Sequence, residues 1–104
     1  MLLSTTDTIV DKKIVRQLGI VRGNTIRARH IGRDIMAILR HIVGGEITDY
    51  TKMMAESREQ ALDRMIEHAQ SLGANAVVQV RFSTSEIMGG ASEMMAYGTA
   101  VVVE

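Results

Sequence analysis

The sequence predicts an α+β fold in which an antiparallel β-sheet packs against one short and one long helix. Three observations carry that prediction. Apolar residues recur at helical spacing over residues 47–72, two later blocks alternate at strand spacing around Gly89-Gly90, and residues 13–27 alternate again ahead of a short helical pattern. At 104 residues the chain is expected to be a single domain spanning 1–104. A domain of this size buries roughly 60 to 70% of the surface its unfolded form exposes, so a core can form without staples.

The first long element covers residues 13–27. Ile14, Leu18 and Ile20 fall on one parity with Arg16 and Arg22, while Val15 and Val21 share the other with Gln17, Gly19 and Gly23. Gly23-Asn24 suits either a hairpin turn or a kink, and a long bent strand is the favoured reading. Over residues 31–43, Ile31, Ile35, Ile38, Leu39 and Ile42 repeat every three or four positions. That spacing predicts a short amphipathic helix, ended by Gly44-Gly45.

The long helix follows. Ile47, Tyr50, Met54, Ser57, Ala61, Met65, Ala69 and Leu72 lie along one face, and Lys52, Glu56, Glu59, Asp63, Arg64 and Glu67 lie on or near the other. Thr48 or Asp49 can cap its start, and Gly73 supplies its stop. In the next strand Ala76, Val78, Val80 and Phe82 are expected on one face, opposite Val77, Gln79 and Arg81. Gly89-Gly90 turns the chain into a last strand with Met95, Tyr97, Val101 and Val103 on one side and Met94, Ala96, Ala100 and Val102 on the other. A strand with almost no polar face is expected to be covered on both sides, by a helix and by a neighbouring subunit.

Composition narrows the function classes. There are no cysteines, which excludes disulfides, thiolate metal sites, iron-sulfur ligation and cysteine nucleophiles. The opening residues lack the basic and apolar regions of a signal peptide, and no stretch is long and apolar enough to span a bilayer, so a cytoplasmic location is expected. Twelve basic and 12 acidic side chains cancel. They are segregated, however: Lys12, Lys13, Arg16, Arg22, Arg27, Arg29, Arg33 and Arg40 crowd the first 45 residues against Asp7, Asp11 and Asp34. The rest of the chain is net acidic, which can pair two parts of one subunit or two neighbouring subunits.

Three constellations bear on chemistry. His30 and Asp34, four residues apart at the entry to the short helix, are the best metal-ligating pair and the place for a divalent ion. The same residues also suit a strand end and a helix N-terminus, where a carboxylate is favourable without any ion. The eight methionines invite copper(I), but Met94 and Met95 are adjacent on a strand and point to opposite faces, and Met53, Met54 and Met65 suit core packing. Arg27, Arg29 and Arg33, with Gly32 among them, form the best candidate pocket for a small anionic ligand. Pairing with Glu46, Glu86 or Glu93 across subunit boundaries is the competing use. Tyr50, Phe82 and Tyr97 are the only aromatic residues, too few for a nucleic-acid stacking platform. Ser83-Thr84-Ser85-Glu86 has no histidine nearby in sequence, and the glycine pairs lack the lysine and spacing of a phosphate loop.

Leu72-Gly73-Ala74-Asn75-Ala76-Val77-Val78, Arg81-Phe82, Glu93 and Ala96-Tyr97-Gly98-Thr99-Ala100-Val101 together resemble the YbjQ-like family, whose members carry a heavy-metal-binding description. Ile31-Gly32-Arg33-Asp34, Val43-Gly44-Gly45-Glu46, Tyr50-Thr51 and Arg64-Met65 continue the resemblance in the same order over essentially the whole chain. The resemblance implies an antiparallel sheet backed by helices, related to small dodecin-like α+β folds, and a ring-shaped homopentamer. The residues and the resemblance together lead to the expectation of a homo-oligomeric binding or scaffold module. An enzyme with active sites at subunit interfaces is the alternative.

Overall fold

The computed structural model describes residues 1–28, 48–88 and 91–104. In chain order these form β1 (Leu2–Leu3), β2 (Ile14–Ala28), α1 (Thr48–Ser71), β3 (Ala76–Met88) and β4 (Ala91–Val103). The strands make one sheet in the order β1-β3-β4-β2. β4 pairs antiparallel with both β2 and β3, but β1 pairs parallel with β3, so the sheet is mixed and not purely antiparallel. Two residues carry no readable period, and β1 is held by backbone bonds instead: the Leu2 N–H donates to the Asn75 carbonyl at 3.1 Å and the Ser4 N–H to the Val77 carbonyl at 3.0 Å. The short helix predicted over residues 31–43 and the Gly44-Gly45 and Gly89-Gly90 pairs lie outside the described residues. The β3–β4 ladder nonetheless runs antiparallel as far as Met88↔Ala91.

Helix α1 buries a stripe at four-residue spacing, Ser57, Ala61, Met65 and Ala69, as the periodicity predicts; Leu72, expected on the same face, is exposed. Three of the four are small because the helix comes very close to β2. A Cβ placed on Gly23 would overlap the Ala61 carbonyl oxygen, the Met65 nitrogen and the Arg64 Cβ. Gly23 is therefore neither a turn nor a kink but a helix-docking point inside a continuous strand. Beside it, Val21, Val77, Val80, Met94, Ala96 and Ala100 complete the core under the helix. Burying Met65 fully contributes about 1.5–3 kcal/mol from transfer alone.

The stop at Gly73 is explicit. Gly73 takes φ +87°, its N–H donates to the Gln70 carbonyl at 3.0 Å, and the Ala74 N–H reaches the Ala69 carbonyl at 3.1 Å. This is the paired C-terminal arrangement that satisfies orphan carbonyls. Asn75 then begins the sheet with its side chain: its Nδ2 donates to the Val103 carbonyl at 2.9 Å and its Oδ1 accepts from the Val103 N–H at 2.8 Å.

Strict alternation fails at four places. Register shifts insert one extra residue between Ile14 and Arg16, another between Gln17 and Gly19, another between Glu86 and Met88, and another between Val78 and Arg81. Gln79, inside the last of these, sits at φ 56°. Each bulge moves the following side chains to the other face. Ile14 therefore parts from Leu18, and Ala76 and Val78 part from Val80, against the parity the sequence predicts. Ala76, Val78, Val101 and Val103 form a second cluster on the side away from the helix, where Ile9 and Ile14 of the same chain pack on it. At that end of the last strand the chain's own N-terminal segment packs on the sheet.

Candidate functional site

Beyond this second cluster, no described element lies over the sheet face opposite α1. The register places its side chains in ranks across β2, β4 and β3. Ile20 lies beside Thr99, Arg22 beside Tyr97 and Arg81, Asn24 beside Met95 and Ser83, and Ile26 beside Glu93 and Ser85. These residues alternate with Val21, Gly23, Thr25, Met94, Ala96 and Gly98, which are buried, and so they point away from the helix. Two of them are conspicuously uncovered: Ile20 is 76% and Ile26 62% exposed, with Tyr97 exposed between them.

Polar groups set the electrostatics of this face. Asn24 Nδ2 donates to Glu93 Oε2 at 2.8 Å, tying that carboxylate to its neighbouring strand. Arg81 Nη1 donates to the Thr5 carbonyl at 2.7 Å and to the Val80 carbonyl at 2.9 Å, so its guanidinium braces the N-terminal segment against β3. Arg22 is exposed on the other flank of Tyr97. Its backbone N–H donates to His68 Nδ1 at 3.3 Å, and Arg64 Nη1 donates to the Asn24 carbonyl, so two helix side chains grip β2 on either side of Gly23. Inside the core, Thr25 and Ser57 share a buried hydroxyl bond of 2.6 Å.

Of the residues singled out from sequence, Arg29, His30, Arg33 and Asp34 lie outside the described residues. Arg27 lies on β2 opposite Ser92, with nothing described of its side chain. The described residues do not fit a heavy-metal ion. They hold no group of three or more His, Cys, Asp or Glu that could ligate one, there is no thiolate in the chain, and His68 already spends Nδ1 on the Arg22 N–H. The rank Arg22–Tyr97–Arg81 escaped the sequence reading because the bulges hide which residues face one another. Its only signal was that Tyr97 interrupts the largely apolar second half of β4.

Among the described residues the fold defines a class, an α-helix laid over a four-stranded mixed sheet. The comparisons agree with that fold. A family described as "Putative heavy-metal-binding" matches residues 1–104, and the chain belongs to that YbjQ-like family. Relatives named UPF0145 protein include one from Methanosarcina acetivorans, 56% identical over 99% of this chain and 97% of its own length. Another, from Dehalococcoides mccartyi, is 59% identical over the whole of both chains, and one from Pyrococcus furiosus is 60% identical over all of this chain and 91% of its own. A crystal structure of a protein of unknown function from the DUF74 family of Pediococcus pentosaceus superposes with a TM-score of 0.65 at 15% identity, covering 100% of this chain and 98% of that one. At that identity the likeness speaks for the fold.

Proposed function

We propose that the chain is a homo-oligomeric binding or scaffold module, assembled as the ring of five that the family resemblance implies, and working in the cytoplasm. The uncovered sheet face carries this reading. Ile20 and Ile26 are exposed on a face that, among the described residues, only the N-terminal segment covers, at one end. Apolar strips of this kind are where soluble proteins meet partners.

The shape of the subunit points the same way. Its radius of gyration is 17.1 Å and its extents are 55 × 26 × 18 Å, whereas a compact chain of this length has a radius near about 13 Å. A long, thin plate leaves more of its surface bare than a globule does. Within the assembly, the cluster Arg27, Arg29 and Arg33 is the place for a small anionic ligand, and titration with inorganic phosphate, repeated on Arg29→Ala, tests it.

Native mass spectrometry tests the assembly. A mass five times the 11.4 kDa chain supports the ring of five, another multiple keeps the oligomer and removes the ring of five, and a single-chain mass removes the proposal.

A further inference from the structure

We infer that His68 is a proton-sensitive latch on the outer edge of the sheet: the neutral imidazole closes a backbone donor of β2, and protonation of the ring opens it. Among the described strands β2 lies at the edge. Along such an edge, alternate residues turn their N–H and C=O groups away from the paired strand. Arg22 and Asn24 are two of these outward residues, while Val21 and Gly23 aim their backbone groups at β4.

Side chains of α1 four residues apart meet both outward residues. The Arg22 N–H donates to His68 Nδ1 at 3.3 Å, and the Asn24 carbonyl accepts from Arg64 Nη1. The two contacts differ in chemistry. A guanidinium stays charged and remains a donor at any physiological pH, whereas an imidazole is the side chain that changes charge between about pH 5 and 8. Nδ1 accepts the amide proton only while Nε2 alone carries the ring proton. A proton bound at Nδ1 occupies that lone pair, turns the acceptor into a donor and sets it against the Arg22 N–H.

The surroundings let the ring respond. His68 is exposed and takes up protons directly from water. On its own helix it has Arg64 one turn earlier and Glu67 beside it, and β2 contributes Arg22, all of them exposed. The residues of β3 and β4 in the core under α1 (Val77, Val80, Met94, Ala96 and Ala100) carry no charge. Among the described residues the imidazolium therefore meets two cations and one carboxylate, and it leaves the strand edge for water. Met65 and Ala69 are fully buried and keep the helix seated, so the change is confined to the ring and the donor it uncovers. An open N–H on an edge strand is what an extended segment pairs with, and the latch makes this edge more receptive in acid.

Amide exchange at single residues, followed by NMR from about pH 8 to about pH 5 and corrected for intrinsic exchange, reads the latch directly. Protection of the Arg22 amide should fall about fivefold across that range, in step with titration of the His68 ring, while the amides of Val21 and Gly23 keep theirs. His68→Gln, whose side-chain oxygen accepts without titrating, should make Arg22 protection independent of pH. His68→Phe, which has no acceptor, should leave Arg22 as weakly protected at pH 8 as the wild type is at pH 5. Equal protection of Arg22 at both ends of the range in the wild type overturns the inference, as does a pH dependence that persists in His68→Gln. So does a parallel loss at Val21 and Gly23, which reports loosening of the whole strand, or a neutral His68 that carries its proton on Nδ1.

Discussion

Gly23 shows how one residue governs the contact between helix and sheet. Its Cβ-less face meets the α1 backbone, so Gly23→Ala must push the helix off β2 and should destabilise the fold by about 3 kcal/mol. Urea unfolding should show the midpoint falling with the slope unchanged. Gln79 is the opposite case. It holds a left-handed conformation with its N–H donated to the Thr6 carbonyl at 2.9 Å, so Gln79→Gly should be neutral or stabilise by about 0.5 kcal/mol. The β-branched Gln79→Val should cost about 1–2 kcal/mol in the same assay. The buried hydroxyl pair predicts non-additivity: Thr25→Val removes the 2.6 Å partner of Ser57 Oγ and costs about 1–3 kcal/mol, Ser57→Ala costs less because Thr25 Oγ1 keeps the residue-57 carbonyl at 3.4 Å, and the double change costs less than the two together. Gly23 and Ser57 were both visible in the sequence, one as a presumed bend and the other as a polar residue on an apolar face. Their shared cause, a helix lying almost on the strand backbone, depends on contacts far apart in sequence.

Among the elements, α1, β3 and β4 were legible because each carries a sustained apolar period in the sequence. Gly73 closes α1 as predicted. β1 was not legible, since a two-residue strand stands only on its partner's backbone. Facing was legible only between bulges. The extra residues in β2 and β3 reverse parity without altering the local apolar pattern, which is why Ile14 and Ala76 end on the side away from the helix. Asn75 ties helix end to sheet edge through two bonds to Val103. Asn75→Ala should lose both, lowering stability by about 1–3 kcal/mol and speeding amide exchange at Val103 before the rest of β4. The candidate anion and metal residues, Arg27 to Asp34, came from composition and spacing, whereas the open-face rank came only from strand register.

At the scale of the whole molecule, the described residues form a helix layer on one side of a four-stranded sheet. α1 covers one side of the sheet, the N-terminal segment covers an end of the other, and the remainder presents Ile20, Arg22, Ile26 and Tyr97 to water. No described helix is long and apolar enough to cross a membrane. The proposed self-association rests on these exposed residues of the sheet face. Static light scattering over a dilution series measures this most directly. The account predicts a particle several times the mass of the chain at micromolar concentration, dissociating more readily in Arg22→Glu; a wild-type protein of single-chain mass throughout the series would contradict it.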